Sequence, residues 1–140
     1  MSVQAPSEPN VRQAVPFFMV TDLAKSLRHY VDGLGFVMTN QWVDQGKLAW
    51  CWLELGGAAL MLQELRKPPE SKLGVGVSVS FMCKDALAIY REIKGRGISA
   101  RRPFVGNGLW VASVTDPDGY KVDFQSPTDV PEDTELPEES

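Results

Sequence analysis

Few side chains in this sequence have the type and spacing that chemistry requires. Asp123 stands between Val122 and Phe124, so strand alternation places it with Lys121 and Gln125 on the face opposite the apolar pair. Three roles are open to a carboxylate there: a base with a raised pKa, the counter-charge of a cationic ligand, or a partner of Lys121. His29, the only histidine, sits next to Tyr30 on the flank of a helical pattern and reads as a packed or partly exposed residue rather than a catalytic one. Cys51 and Cys83 lack spaced partners for zinc and are too few for a disulfide framework, so both are expected to be reduced and buried. The remaining material is lining. Phe17 and Met19 share a face with Val15, Met61 and Gln63 with Ala59, Ser78 and Ser80 with Met82, and Trp50 with Trp52. Such a set suits a small organic ligand: apolar and aromatic walls supply affinity, while Gln63, Ser78, Ser80 and Asp123 orient it. Each of the four tryptophans, Trp42, Trp50, Trp52 and Trp110, is a candidate for stacking on a flat or cationic compound, with Trp50, Trp52 and Trp110 counted in the expected site. Met61 and Met82 leave open a blander outcome, in which the protein's own side chains fill the space.

These residues need strands to hold them, and the pattern supplies strands. Ala14 to Val20 is a short apolar run that opens at a proline, as an edge strand does. Thr21 and Asp22 are good helix caps, and Leu23, Leu27, Tyr30 and Leu34 recur at helical spacing until Gly33 and Gly35. Strand-like runs follow at 36–43, 48–55 and 58–65, separated by turn residues. After a polar linker at 66–73 the order begins again, with a strand at 75–82 and a helix at 84–96 that Gly97 ends. Asp22 is echoed by Asp85, Gly35 by Gly97 and Gly57 by Gly119, at spacings that agree within one residue. An echo of this length reads as a structural duplication. The expected organisation is an N-terminal extension at 1–13, one α+β domain at 14–126 made of two modules (about 14–65 and 75–126), and an acidic tail at 127–140.

Composition narrows the function classes. At 140 residues, 44% hydrophobic and 23% charged, the chain fits a single globular domain, and no apolar run is long enough to span a bilayer. The first residues lack the basic start and apolar block of a secretory signal, so a cytoplasmic protein is expected. The net charge of −4 is located at one end: residues 127–140 hold six acids and no Lys or Arg, leaving 12 acids against 14 bases elsewhere. With three prolines and no aromatic residue, that tail reads as a solvated appendage. No basic stripe with interleaved aromatics appears, so nucleic-acid binding has little support.

The run Val-Thr-Asp-Leu-Ala-Lys-Ser-Leu-Arg-His-Tyr-Val-Asp-Gly-Leu-Gly-Phe at 20–36 and the run Asp-Pro-Asp-Gly-Tyr-Lys-Val-Asp-Phe at 116–124 resemble the two characteristic stretches of the vicinal oxygen chelate superfamily, which includes glyoxalases, bleomycin-resistance proteins and extradiol dioxygenases. The resemblance covers roughly 14–126. It implies paired βαβββ modules whose curved mixed sheets form a cup around a ligand, commonly in a homodimer, with the cup built within one chain or across two. Metal-dependent relatives place His, Glu or Gln at four sites, which fall here on Val15, Met61, Ser78 and Asp123. Of these only Asp123 is a plausible ligand, and a divalent cation needs three or four donors. A one-residue error on the first module's last strand would bring Gln63 or Leu60 to the site and still leave too few. The resemblance is therefore nearest the bleomycin-resistance branch and implies a metal-free, cofactor-free protein that sequesters a small molecule. The alternative is a metal-dependent lyase, isomerase or dioxygenase of the same superfamily.

Overall fold

The computed structural model describes residues 9–138; the start of the expected N-terminal extension and the end of the tail lie outside them. β1 (Phe17–Val20) alternates as its sequence dictates, with Phe18 and Val20 buried and Phe17 47% exposed. Asp22 caps α1 (Leu23–Leu27), its carboxylate accepting from Lys25 N at 3.1 Å. The helix does not continue at regular spacing. Its backbone widens over Arg28–Gly33, where Leu34 N donates to His29 O five residues back, and Tyr30 in this wide turn reaches a buried partner, Asp116. β2 (Val37–Asp44), β3 (Lys47–Leu55) and β4 (Ala58–Glu64) then form an antiparallel meander, and β4 pairs in parallel with β1. The sheet order is β1-β4-β3-β2.

The second module repeats this plan with β5 (Ser78–Met82), α2 (Ala86–Gly95), β6 (Phe104–Gly106), β7 (Leu109–Thr115) and β8 (Lys121–Pro127), in the order β5-β8-β7-β6. The repetition reaches the register: Phe17 stands opposite Met61, and its counterpart Ser80 opposite Asp123. Asp85 caps α2 as Asp22 caps α1, accepting from Ala88 N at 3.1 Å. Gly35 and Gly97 both take positive φ, +89° and +86°. The glycine echo in the last hairpin differs: Gly119 has φ +94°, but in the first module Gly56, with φ +56°, and not Gly57, takes that conformation. The strand expected from residue 75 starts only at Ser78, because a turn closed by Val77 N donating to Gly74 O uses the residues before it.

One core serves both modules. Phe18, Val20, Tyr30, Phe36, Leu53 and Leu62 of the first lie in the same buried cluster as Ile93, Val114, Tyr120, Val122 and Phe124 of the second. The seam is polar and aromatic together. Phe18 stacks on Tyr120 with ring centroids 4.0 Å apart, and the Tyr120 hydroxyl donates to Met19 O at 2.9 Å. Thr21 donates to Asp118 through its hydroxyl at 2.7 Å, and the Tyr30 hydroxyl donates to Asp116 at 2.8 Å. The C-terminal segment departs from the expected solvated appendage: Val105 N donates to Thr134 O, Leu136 N donates to Pro103 O, and Leu136 packs against the core. Glu132, Glu135 and Glu138 find donors far off in the sequence that composition does not reveal, and these hold the segment in place. Among the described residues no helix is long and apolar enough to cross a membrane.

Candidate functional site

Each sheet gives one face to the shared core and leaves the other open. On the first sheet the in-register pairs make two rows of side chains on the open face: Phe17, Met61, Trp52 and Asn40, then Met19, Gln63, Trp50 and Trp42. Six expected lining residues, Phe17, Met19, Trp50, Trp52, Met61 and Gln63, are thus brought together. Trp42, 48% exposed, joins them beside Trp50. Sequence alternation alone could not place it on this face, because its alignment with Trp50 follows a register shift between Met38 and Asn40. Glu54 adds a polar support, accepting from Trp52 Nε1 at 3.2 Å and so fixing the indole.

On the second sheet Asp123 lies between Ser80 and Ser113 in register, with Ser78 and Lys121 in the neighbouring row. Ser78 Oγ donates to Asp123 Oδ2 at 3.3 Å. Oδ1 is buried and has no hydrogen-bond partner among the described residues. Lys121 forms no ion pair with it among those residues, so a structural pairing of the two is not what holds this carboxylate.

Trp110 does not share either surface. It stands opposite buried Ser126, one step out of phase with Ser113, and packs against the core. Nor do the two open faces close into one cup within the chain. A cavity of about 830 Å³ runs along the unpaired edge of β5, lined by Pro16, Ala58, Ala59, Phe81 and Met82, and Ser80 reaches it while Met61, Gln63, Asp123 and the tryptophans do not. The tryptophan face and the Asp123 face are separate surfaces of one protomer.

The family model for the glyoxalase/bleomycin resistance protein/dioxygenase superfamily matches residues 12–124. The chain belongs to this superfamily. Two strands of observation meet here: the match spans both modules, and the repeated four-stranded sheets are the architecture of its solved relatives. Three of these superpose with a TM-score of 0.67. A bleomycin resistance determinant encoded on the transposon Tn5 is 24% identical, with 84% of this chain and 98% of that one covered. A bleomycin-binding protein complexed with bleomycin is 23% identical, covering 83% and 98%. TioX from Micromonospora sp. ML1 is 19% identical, covering 84% and 99%. At such identities they share the fold with this superfamily member. No curated protein matches the sequence.

Register bears on two of the four positions expected to hold the superfamily's metal donors: Met61 stands opposite Phe17 and Asp123 opposite Ser80, while Val15 precedes β1. Leu60 is fully buried on the core face, and Gln63 lies a row beyond Met61, so the first module presents Met61 opposite Phe17. Valine, a thioether, a serine hydroxyl and one carboxylate do not fit a divalent cation, which takes several nitrogen, oxygen or thiolate donors. Among the described residues no three His, Cys, Asp or Glu side chains cluster.

His29 sits away from both open faces, in the wide turn after α1, edge-on to Tyr30. Burial pulls its pKa down to about 4, and Nε2 has no hydrogen-bond partner among the described residues. The folded pKa lies below the ordinary 6.5, so the unfolded chain takes up a proton first as pH falls. Stability present at neutral pH is therefore lost between about 6.5 and about 4. The expected loss is about 1–3 kcal/mol over that window. Urea unfolding at pH 7 and pH 4.5 checks it, and His29→Gln should flatten the dependence.

Proposed function

We propose that this protein binds a small, flat, amphipathic organic molecule carrying a positive charge, holds it without a metal, and acts by sequestration. The observation that carries this reading is the pair of open faces, one of aromatic side chains and one with the Asp123 carboxylate, whose Oδ1 has no partner among the described residues. Indoles and the Phe17 ring suit the flat apolar part of such a ligand, and Asp123 suits its cationic donor. The bleomycin complex of a similar fold supports the ligand class.

In this reading the protein works in the cytoplasm as a homodimer. Phe17, Trp42, Val43 and Met82 are between 47% and 64% exposed, more large apolar surface than a lone protomer ordinarily leaves wet. Because the two faces are separate on one chain, the first module's face is set against the second module's face of the partner to close the cup.

The test is a fluorescence titration with proflavine, a planar aromatic cation, in the presence of chelator. Saturable quenching of tryptophan emission is expected. Trp50→Ala should weaken it by about tenfold or more, the size of one lost stacking contact. Asp123→Asn should weaken proflavine binding with little change in melting temperature. Equal binding by the Asp123→Asn protein removes Asp123 from the site, and equal binding by Trp50→Ala removes the tryptophan face.

A further inference from the structure

The duplicated modules differ at their outer edges. β2 ends the first sheet and β6 ends the second, and an unpaired edge strand invites pairing with another chain. β2 is long and exposed along nearly all of its length, and it carries two register irregularities that interrupt a regular ladder. β6 is only three residues long and has no irregularity; the chain's own C-terminal segment covers it instead.

That cover is built in a particular way. Val105 N donates to Thr134 O, Asp133 N to Val105 O and Leu136 N to Pro103 O, at 2.9, 2.9 and 2.8 Å, and Glu135 bridges Phe104 antiparallel. Glu132 accepts from the backbone N–H groups of Asn107 and Gly108, the turn between β6 and β7, where both residues have positive φ. Arg102 holds Glu135 at 3.3 Å and also pairs with Glu138. Packing contributes little by comparison. Leu136 is the apolar anchor, and between the segment and α2 a cavity of about 780 Å³ remains, lined by Tyr90, Lys94, Ala100 and Pro137. The pairing side chains are 41% exposed at Arg102, 57% at Glu135 and 80% at Glu138, so dissolved salt reaches them.

We infer that residues 128–138 are a charge-latched strap that completes the second sheet within the chain, and that releasing it opens the β6 edge to pairing with the same edge of a second copy. Glu132, Glu135 and Glu138 thus have a structural use: they hold a removable strand over an edge that lacks the interruptions protecting β2.

Hydrogen exchange on the full chain tests the latch. Arg102→Ala, or 1 M NaCl with the unaltered protein, should lower protection of the Val105 and Leu136 amides at least tenfold and leave Phe124 on β8 unchanged. Sedimentation of a chain ending at Pro127 tests the edge, with the circular dichroism of the sheets as the check on folding. Its mass should be at least twice that of the intact assembly at the same concentration. Unchanged Val105 protection under both treatments overturns the latch, and a folded truncated chain of unchanged mass overturns the edge closure. Neither result bears on ligand binding.

Discussion

Asp116→Ala is expected to destabilise the protein by about 2–4 kcal/mol, because it strands buried donors that no water replaces. Asp116 Oδ1 accepts from Asp118 N at 2.8 Å and Tyr120 N at 2.9 Å, and Oδ2 accepts from the Tyr30 hydroxyl. Tyr30 is fully buried and Asp116 is 5% exposed. Alanine removes the acceptor for all three donors at the seam between the modules. Asp116→Asn separates hydrogen bonding from charge. Its Oδ1 still accepts both N–H groups, while its amide nitrogen donates to the Tyr30 oxygen in place of the reverse bond. Burial raises the Asp116 pKa, with the neighbouring Asp118 adding a smaller push in the same direction against the three bonds that oppose it. A raised folded pKa means that stability present at low pH is lost as pH rises through that value, so the ionised carboxylate carries a cost at neutral pH that an amide avoids. The Asn variant should lie within about 1 kcal/mol of the parent in urea unfolding at pH 7. A loss as large as that of the alanine variant would show that the charge itself holds the seam.

Gly74→Ala should cost about 3 kcal/mol or more, for a different reason. A Cβ at this position would lie 2.1 Å from Tyr120 N and 2.4 Å from Gly119 C. These are backbone atoms that no rotamer change can move aside. Gly74 N also donates to Asp118 O at 2.9 Å, so the segments are drawn together at the place where the methyl would push them apart. The relief available is displacement of the 116–120 turn, which carries the Tyr30–Asp116 and Thr21–Asp118 bonds. Thermal unfolding reads the loss. Gly76→Ala is the control: its Cβ would meet nothing within 4 Å, and its φ of +84° leaves only the ordinary strain of that conformation.

The same residues explain why the fold was legible in the sequence and the ligand site much less so. The stretches at 20–36 and 116–124 carry the family resemblance, and the structure shows what they do. Thr21 and Tyr30 of one bond Asp118 and Asp116 of the other, and Tyr120 stacks on Phe18. They are the clamp between the modules, so they announce the architecture and carry no information about what the open faces hold. Alternation placed Phe17, Met19, Met61 and Gln63 on one face because these strands are regular there. It could not align Trp42 with Trp50 across an irregular β2, and it could not place Trp110, whose phase depends on pairing with Ser126 across the sheet. Composition misread the tail for a related reason. Glu132, Glu135 and Glu138 are held by donors from distant residues, the Asn107 and Gly108 backbone and Arg102, which no local window contains.

The measurement closest to the central claim is the melting temperature of chelator-treated protein with proflavine and, separately, with Mn²⁺, Fe²⁺, Ni²⁺ or Zn²⁺, since anything that binds only the folded state raises it. The account predicts a saturable rise with the planar cation and none with any metal ion alone. A saturable rise with a metal ion that disappears in Asp123→Asn would contradict it, and would place a metal centre where Val15, Met61, Ser78 and Asp123 stand.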